Sequence, residues 1–217
     1  RSFRHSYDTG GSDMKADPLS AGKPPGAGRP RDPRIDAAIL RATADLLVEI
    51  GYSNVTMAAV AERAGTTKTA LYRRWSSKAE LVHEAAFPAT PSAIQAPPGD
   101  IAADLRAMVE AARDVFTSPV VRAALPGLIT DMTADAALSG RVSARFAELF
   151  TAVRDRLHDA VDRGEVRTEI DPDRLVDLIG GATLLAVIQS PDALPSARWV
   201  EDTTSILLHG VLAGPGA

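Results

Sequence analysis

Residues 55–81, VTMAAVAERAGTTKTALYRRWSSKAEL, constrain this chain most, because their punctuation leaves room only for short helices in quick succession. The Thr56 hydroxyl can cap the free N–H groups of a helix start. Met57, Val60, Ala61 and Ala64 then recur at the three-and-four spacing of a buried helical face. Gly65 stands where a chain needs a left-handed residue to leave one helix and turn sharply. Thr66 or Thr67 caps the next helix, with Ala70, Leu71 and Trp75 inward and Lys68, Thr69, Tyr72 and Arg73 outward. Ser77-Lys78-Ala79-Glu80 has the spacing of a capping box, in which serine and glutamate each satisfy the other's end of a helix start.

Two short helices joined by a tight glycine turn, the second polar and basic outward, describe a helix-turn-helix. In that motif the second helix enters the DNA major groove. An ordinary helical hairpin with a solvated polar face would share the spacing. The outward set argues against it, since Lys68, Tyr72, Arg73, Arg74 and Lys78 fall within about three turns with no acidic residue before Glu80.

On these residues the chain resembles the N-terminal DNA-binding domain of the tetracycline-repressor (TetR/AcrR) family of bacterial transcription regulators. The matching features are Thr56 opening the second helix, Ala61 and Ala64-Gly65 closing it, Lys68 and Leu71-Tyr72 in the recognition helix, Trp75, and Lys78 with Leu81. Order and spacing match without a gap over residues 35–82. Thr66 stands where an aliphatic residue is common and Thr69 where a glycine often sits, so Thr69 adds a side chain towards DNA. Beyond about residue 90 the resemblance is one of helix pattern. It implies an all-α fold, with an N-terminal three-helix helix-turn-helix domain and a C-terminal helical domain for ligand binding and dimerisation.

Composition supports a soluble, cytoplasmic protein. Apolar content is 45%, there is no cysteine for disulfides or thiolate zinc sites, and no apolar run approaches the ~20 residues that span a bilayer. The net charge is −4, but residues 1–87 carry 13 basic against 10 acidic side chains and residues 88–217 carry 11 against 18. The first part is thus +3 and the second −7, the sense expected if only the first meets phosphate. His5, His83, His158 and His209 are scattered without metal-ligand spacing, and neither a nucleophile elbow nor a phosphate loop is present. No enzyme, cofactor or metal is expected. His83 is expected to face solvent or the interdomain contact.

Residues 1–33, rich in Gly, Pro, Ser and charge, predict a disordered tail. Met14 fits a native start, and the residues before it read as a vector remnant. Within the tail, Arg29 and Arg31 in GRPR suit either an arm reaching into a minor groove or a plain solvated segment. Asp32-Pro33 starts a first helix, with Ile35, Ala38, Ile39, Ala42, Leu46, Leu47 and Ile50 inward and Gly51 at its end. The DNA-binding domain is expected over 34–87, with a fourth helix over 77–87 leading to the body. Four prolines in residues 88–99 predict a linker, and the body follows over 100–213. Its first helix runs from the Asp100 cap to about Thr117. The next starts at Ser118-Pro119 and is expected to break at Pro126-Gly127. A long amphipathic stretch spans 135–163, closed by Gly164. Asp171-Pro172 opens a helix that is apolar on nearly every side over 178–188, where Gly180 and Gly181 would admit a close neighbour. A second copy of the chain is its natural cover; a monomer with one central helix is the alternative. In the resembled family the last two helices pair with their symmetry mates as a four-helix bundle.

The expected function is therefore a sequence-specific, homodimeric DNA-binding regulator on a palindromic operator. Lys68, Arg73, Arg74 and Lys78 are candidates for phosphate contacts. Thr67, Thr69 and Tyr72 are candidates for base edges, thymine methyls or phosphate hydrogen bonds. Thr56 is carried over from the resemblance as a phosphate contact. The resemblance also implies ligand-responsive repression through a cavity in the body, and Met108, Phe116, Ile129, Met132, Phe146 and Phe150 are candidate lining residues for an apolar effector. Each of the six also reads as ordinary core. A helical dimer that binds another protein, or a DNA-binding regulator without an effector, shares these patterns.

Overall fold

Side-chain caps set most of the helix starts in this chain. The computed structural model describes residues 33–87, 100–190 and 192–210, which form ten α-helices and no strand. Arg29, Arg31, Met14, the Asp32 cap and the proline-rich 88–99 lie outside the described residues. Four helices make the head: α1 (Pro33–Asn54), α2 (Met57–Arg63), α3 (Lys68–Tyr72) and α4 (Lys78–Ala86). Thr56 Oγ1 accepts from Ala59 N at 3.1 Å, Thr67 Oγ1 from Ala70 N at 3.2 Å and Ser77 Oγ from Glu80 N at 3.2 Å. Glu80 departs from the expected capping box. Its carboxylate reaches past Ser77 to Ser76, which offers two donors, N at 2.8 Å and Oγ at 2.6 Å. Gly51 interrupts the helical geometry of α1 with a φ of 73° and Gly65 makes the α2–α3 turn with a φ of 64°. Ile35 and Ile50, expected inward, are exposed, because they sit at the two ends of the buried α1 face made by Ile39, Ala42, Leu46 and Leu47.

The body comprises α5 (Ile101–Thr117), α6 (Pro119–Ala134), α7 (Ala136–Arg145), α8 (Ala147–Asp162), α9 (Pro172–Gln189) and α10 (Ala197–His209). Two expectations are corrected. Helix α6 runs unbroken through Pro126 and Gly127. Pro126 forfeits one backbone hydrogen bond, and Gly127 persists because the Tyr52 ring occupies the space where a side chain would stand, its Cδ1 only 1.9 Å from an added Cβ. The stretch 135–163 is two helices, divided at Phe146. There the chain turns so that the Phe146 ring meets His83 (5.5 Å between centroids) and Phe87 (5.8 Å). His83 is thus buried at the contact of α4 with the body.

Apolar side chains gather in two cores. The first joins Ile39, Leu47, Val60, Leu71, Trp75 and Val82 of the head to Val121, Leu125 and Leu128 of α6 and Leu138 and Val142 of α7. The second, of α5, α8, α9 and α10, holds Leu105, Val109, Val153, Leu157, Ile179 and Val200. Beside it Arg156 of α8 donates to Asp104 of α5 at 2.5 Å, with only 8% and 7% of the two side chains exposed. Helix α9 is not covered all round. Leu178, Leu185 and Ile188 are more than half exposed, as is Ile206 on α10. Among the described residues no atom outside the helix's own nearby backbone approaches where a side chain on Gly180 or Gly181 would stand.

Candidate nucleic-acid interface

Helix α3 is only five residues long, too short to hold itself in water, so its position depends on what ties it down. Leu71 is fully buried, and Trp75 just beyond is 3% exposed, its indole N–H donating to Glu84 at 2.8 Å. The Thr67 cap orders the first turn. With one face pinned in this way, Thr67, Lys68, Thr69, Tyr72 and Arg73 all stand exposed, and Tyr72 keeps more than half its surface in solvent. Thr56 is exposed at the start of α2. Its hydroxyl hydrogen remains available for a phosphate oxygen while its oxygen caps the helix.

The four candidate phosphate cations divide into two pairs. Among the described residues no carboxylate pairs with Lys68 or Arg73. Arg74 and Lys78 are taken up by the fold. The Arg74 Nε donates to Asp36 in the first turn of α1, and its Nη1 to the Ala70 carbonyl at 2.9 Å. The Lys78 ammonium lies 4.1 Å above the Tyr52 ring and donates to the Tyr52 carbonyl at 3.1 Å. Tyr52 in turn donates its hydroxyl to Asp131 of α6. Burial, and then that hydrogen bond, hold the Tyr52 phenol well above the ordinary tyrosine range, so it stays a proton donor. Sequence reading did not single out Asp36, Tyr52 or Glu84. A signal existed for Lys78, which lies three and four residues before buried Leu81 and Val82; none existed for Arg74, three residues after buried Leu71, because exposed Lys68 lies three before it. Arg63, also exposed, is paired with Glu49 of α1 through two hydrogen bonds at 2.8 and 2.7 Å, which hold the Glu49 carboxyl below its usual range.

The surface left over is a short helix presenting two unpaired cations, a phenol and a threonine hydroxyl, next to a second exposed helix start. Comparison with known proteins decides what it belongs to. Residues 39–85 match the family described as bacterial regulatory proteins, tetR family, and residues 96–205 match the tetracyclin repressor-like C-terminal domain. The chain belongs to the TetR family of bacterial transcriptional regulators. It is 33% identical over 195 residues to an uncharacterized HTH-type transcriptional regulator of Mycobacterium tuberculosis, covering 86% of this chain and 92% of that one. It is 32% identical over 191 residues to a DNA-binding transcriptional repressor, TetR, of Mycobacteroides abscessus, with coverage of 83% and 95%. Among solved structures, the TetR family transcription regulator SCO0332 aligns at a TM-score of 0.65 and 30% identity, over 83% of this chain and all of that one. The chain is therefore a DNA-binding transcriptional regulator of a family of regulators, not of enzymes. Among the described residues no group of three or more metal-binding side chains is placed to hold an ion, and no helix is long and apolar enough to cross a membrane.

The six candidate effector residues of this TetR-family chain do not meet in one place. Met108 is in the second core, Phe116, Met132 and Phe146 pack against the first, Phe150 is half-buried on α8, and Ile129 is exposed. A pocket of about 210 Å³ lies between α4 and α7, lined by Glu80, His83, Leu138, Arg141, Val142 and Ala144. A wider groove of about 800 Å³ runs along α9 and α10 past Leu178, Leu185, Trp199 and Ile206. None of the six lines either.

The division of the cations gives an expected result. Lys68→Ala should weaken binding to all duplexes alike and flatten the slope of log K against log salt by about one unit. A salt titration that leaves the slope unchanged would remove Lys68 from the phosphate contacts.

Proposed function

We propose that this regulator is a ligand-responsive repressor that binds a near-palindromic operator as a homodimer, with α3 of each copy in the major groove. The observation that carries the DNA-reading part is the exposure of Lys68, Thr69 and Tyr72 on α3, and of Arg73 at its C-terminal cap, while the opposite face of the helix is anchored in the core. Lys68 and Arg73 take phosphates, Thr69 and Tyr72 take base edges or thymine methyls, and Thr56 and Thr67 donate to phosphate oxygens at the helix starts. The dimer is supported by Leu178, Leu185, Ile188 and Ile206, an apolar surface on the last two helices that a single chain leaves in water. Pairing those helices across a two-fold axis sets the two α3 helices about one DNA turn, ~34–36 Å, apart.

For the effector, an apolar ligand entering the body beside Phe116, Met132 and Phe146 would act where body and head share one core. Binding that favours a spacing of the two heads unsuited to the operator is repression relieved by linkage.

Selection of the purified protein against a random double-stranded DNA pool tests the reading. The expected result is enrichment of a two-fold motif, lost in Tyr72→Ala, from a protein that light scattering shows to be a dimer. The selected site then serves a thermal-shift screen for ligands that both stabilise the protein and release that DNA. No enrichment at low salt from a folded dimer would instead support a helical module that binds another protein. A selected site with no releasing ligand in a chemically broad screen would leave an effector-independent regulator.

A further inference from the structure

Arg74 is one of two cations, with Lys78, that the sequence places with the DNA contacts and the fold places elsewhere. Its guanidinium bridges two elements, the Asp36 carboxylate in the first turn of α1 and the Ala70 carbonyl in α3 at 2.9 Å. Ala70 O is one of the carbonyls that a helix C-terminus leaves without an intrahelical partner, and a cation there also suits the helix dipole. Only 17% of the Arg74 side chain and 30% of the Asp36 side chain are exposed, so salt screens this pair less than a surface pair.

The short length of α3 gives this bridge its importance. With Thr67 capping one end and Leu71 as the buried pivot, a five-residue helix could still swing about the pivot, moving Lys68, Thr69 and Tyr72 together. Just beyond its C-terminus lie the Arg74 bridge, which reaches α1, and the Trp75–Glu84 hydrogen bond, which reaches α4.

We propose that Asp36 is a positioning residue for sequence recognition: by holding Arg74 it fixes the C-terminal end of α3 against α1 and so sets the angle at which α3 meets base edges. Arg74 is then a structural strut and not a phosphate ligand. The inference rests on α3 being the DNA-reading helix. It also makes arginine specifically necessary at position 74, because a lysine ammonium cannot serve the carboxylate and the carbonyl through a rigid fork.

The test uses the selected operator and a scrambled duplex of equal length, titrated with Asp36→Asn, Arg74→Ala, Arg74→Lys and the double variant Asp36→Asn/Arg74→Ala over a salt series. Each single variant should lower the ratio of specific to non-specific affinity on the order of tenfold, the scale of one lost base contact. The scrambled-duplex affinity and the salt slope should stay as in the unaltered protein. The double variant should be no worse than either alanine or asparagine alone, since both act through one bridge. Three results would overturn the proposal. A slope flatter by about one in Arg74→Ala, with tighter binding in Asp36→Asn, would make Arg74 a phosphate ligand that Asp36 opposes. Lower melting temperatures with the specificity ratio intact would make the bridge structural only. Rescue by Arg74→Lys would show that charge alone suffices. Lys68→Ala and Tyr72→Ala run in parallel as controls on the underlying reading. If neither alters binding, α3 is not the reading helix, and that failure is distinguishable because it appears without any change at Asp36 or Arg74.

Discussion

Arg156→Ala is expected to destabilise the fold by about 3–5 kcal/mol, a large part of what a domain of this size has to lose. The cause is the loss of a charge-assisted hydrogen bond in a place that water reaches poorly. Asp104 has 7% of its side chain exposed beside the second core, and Arg156→Ala removes the hydrogen bond it accepts from the guanidinium at 2.5 Å. Asp104→Ala should cost a similar amount by removing the same buried hydrogen bond from the arginine side. Replacing both together, as Asp104→Leu/Arg156→Met, should recover most of the loss, since an apolar pair of similar volume needs no desolvation compensated. Urea denaturation of the three variants checks this. A single variant within about 1 kcal/mol of the unaltered protein would place the pair with surface salt bridges, which contribute little.

Gly127→Ala is expected to lower stability by about 1–3 kcal/mol, against the ordinary sign for that exchange in a helix. Propensity alone would gain about 1 kcal/mol, because alanine loses less backbone freedom than glycine. Space decides otherwise. The new methyl would stand 1.9 Å from Tyr52 Cδ1 and 2.3 Å from its Cγ, and the ring has little freedom to move away. Its hydroxyl is committed to Asp131 and its face to Lys78. In a Tyr52→Ala background the same substitution should become neutral or favourable, and that reversal in a double-mutant cycle is the measurement. If Gly127→Ala stabilises the protein with Tyr52 present, the close approach of α1 to α6 is looser than the structure has it.

Local signals carried the sequence reading and long-range ones limited it. Thr56, Thr67, Ser77, Asp100, Ser118 and Asp171 each cap a helix as their spacing suggests, because a cap is an interaction over two or three residues. Gly51, Gly65 and Gly164 adopt positive φ where a helix had to stop. What failed depended on partners far along the chain. Pro126-Gly127 looks like a break until Tyr52, 75 residues earlier, is seen to need the gap. Phe146 looks like one more inward residue of a long helix until His83 and Phe87 draw the chain into a turn there. Asp104 and Arg156 are 52 residues apart, and nothing in either's neighbourhood announces a buried pair. In the candidate DNA-reading surface, residue types were legible but not their engagements. Four cations are visible in the sequence, but spacing from Leu71 does not separate Lys68 from Arg74; contacts with Asp36 and Tyr52, far along the chain, take up Arg74 and Lys78.

The core shared by head and body bears on how such a regulator could acquire a new operator. A head of some 55 residues buries too little surface to be secure alone, and here Val121, Ala124, Leu125, Leu128, Leu138 and Val142 supply part of its interior. Grafting the DNA-reading head of a relative onto this body at residues 88–99 would therefore mismatch the packing, even where every DNA contact came across intact. The exchangeable unit is the head together with the inward face of α6 and α7. Changes confined to the exposed side of α3 escape this limit, so with α3 as the proposed reading helix, new operator preference is more readily gained there, one outward side chain at a time, than by recombining whole heads.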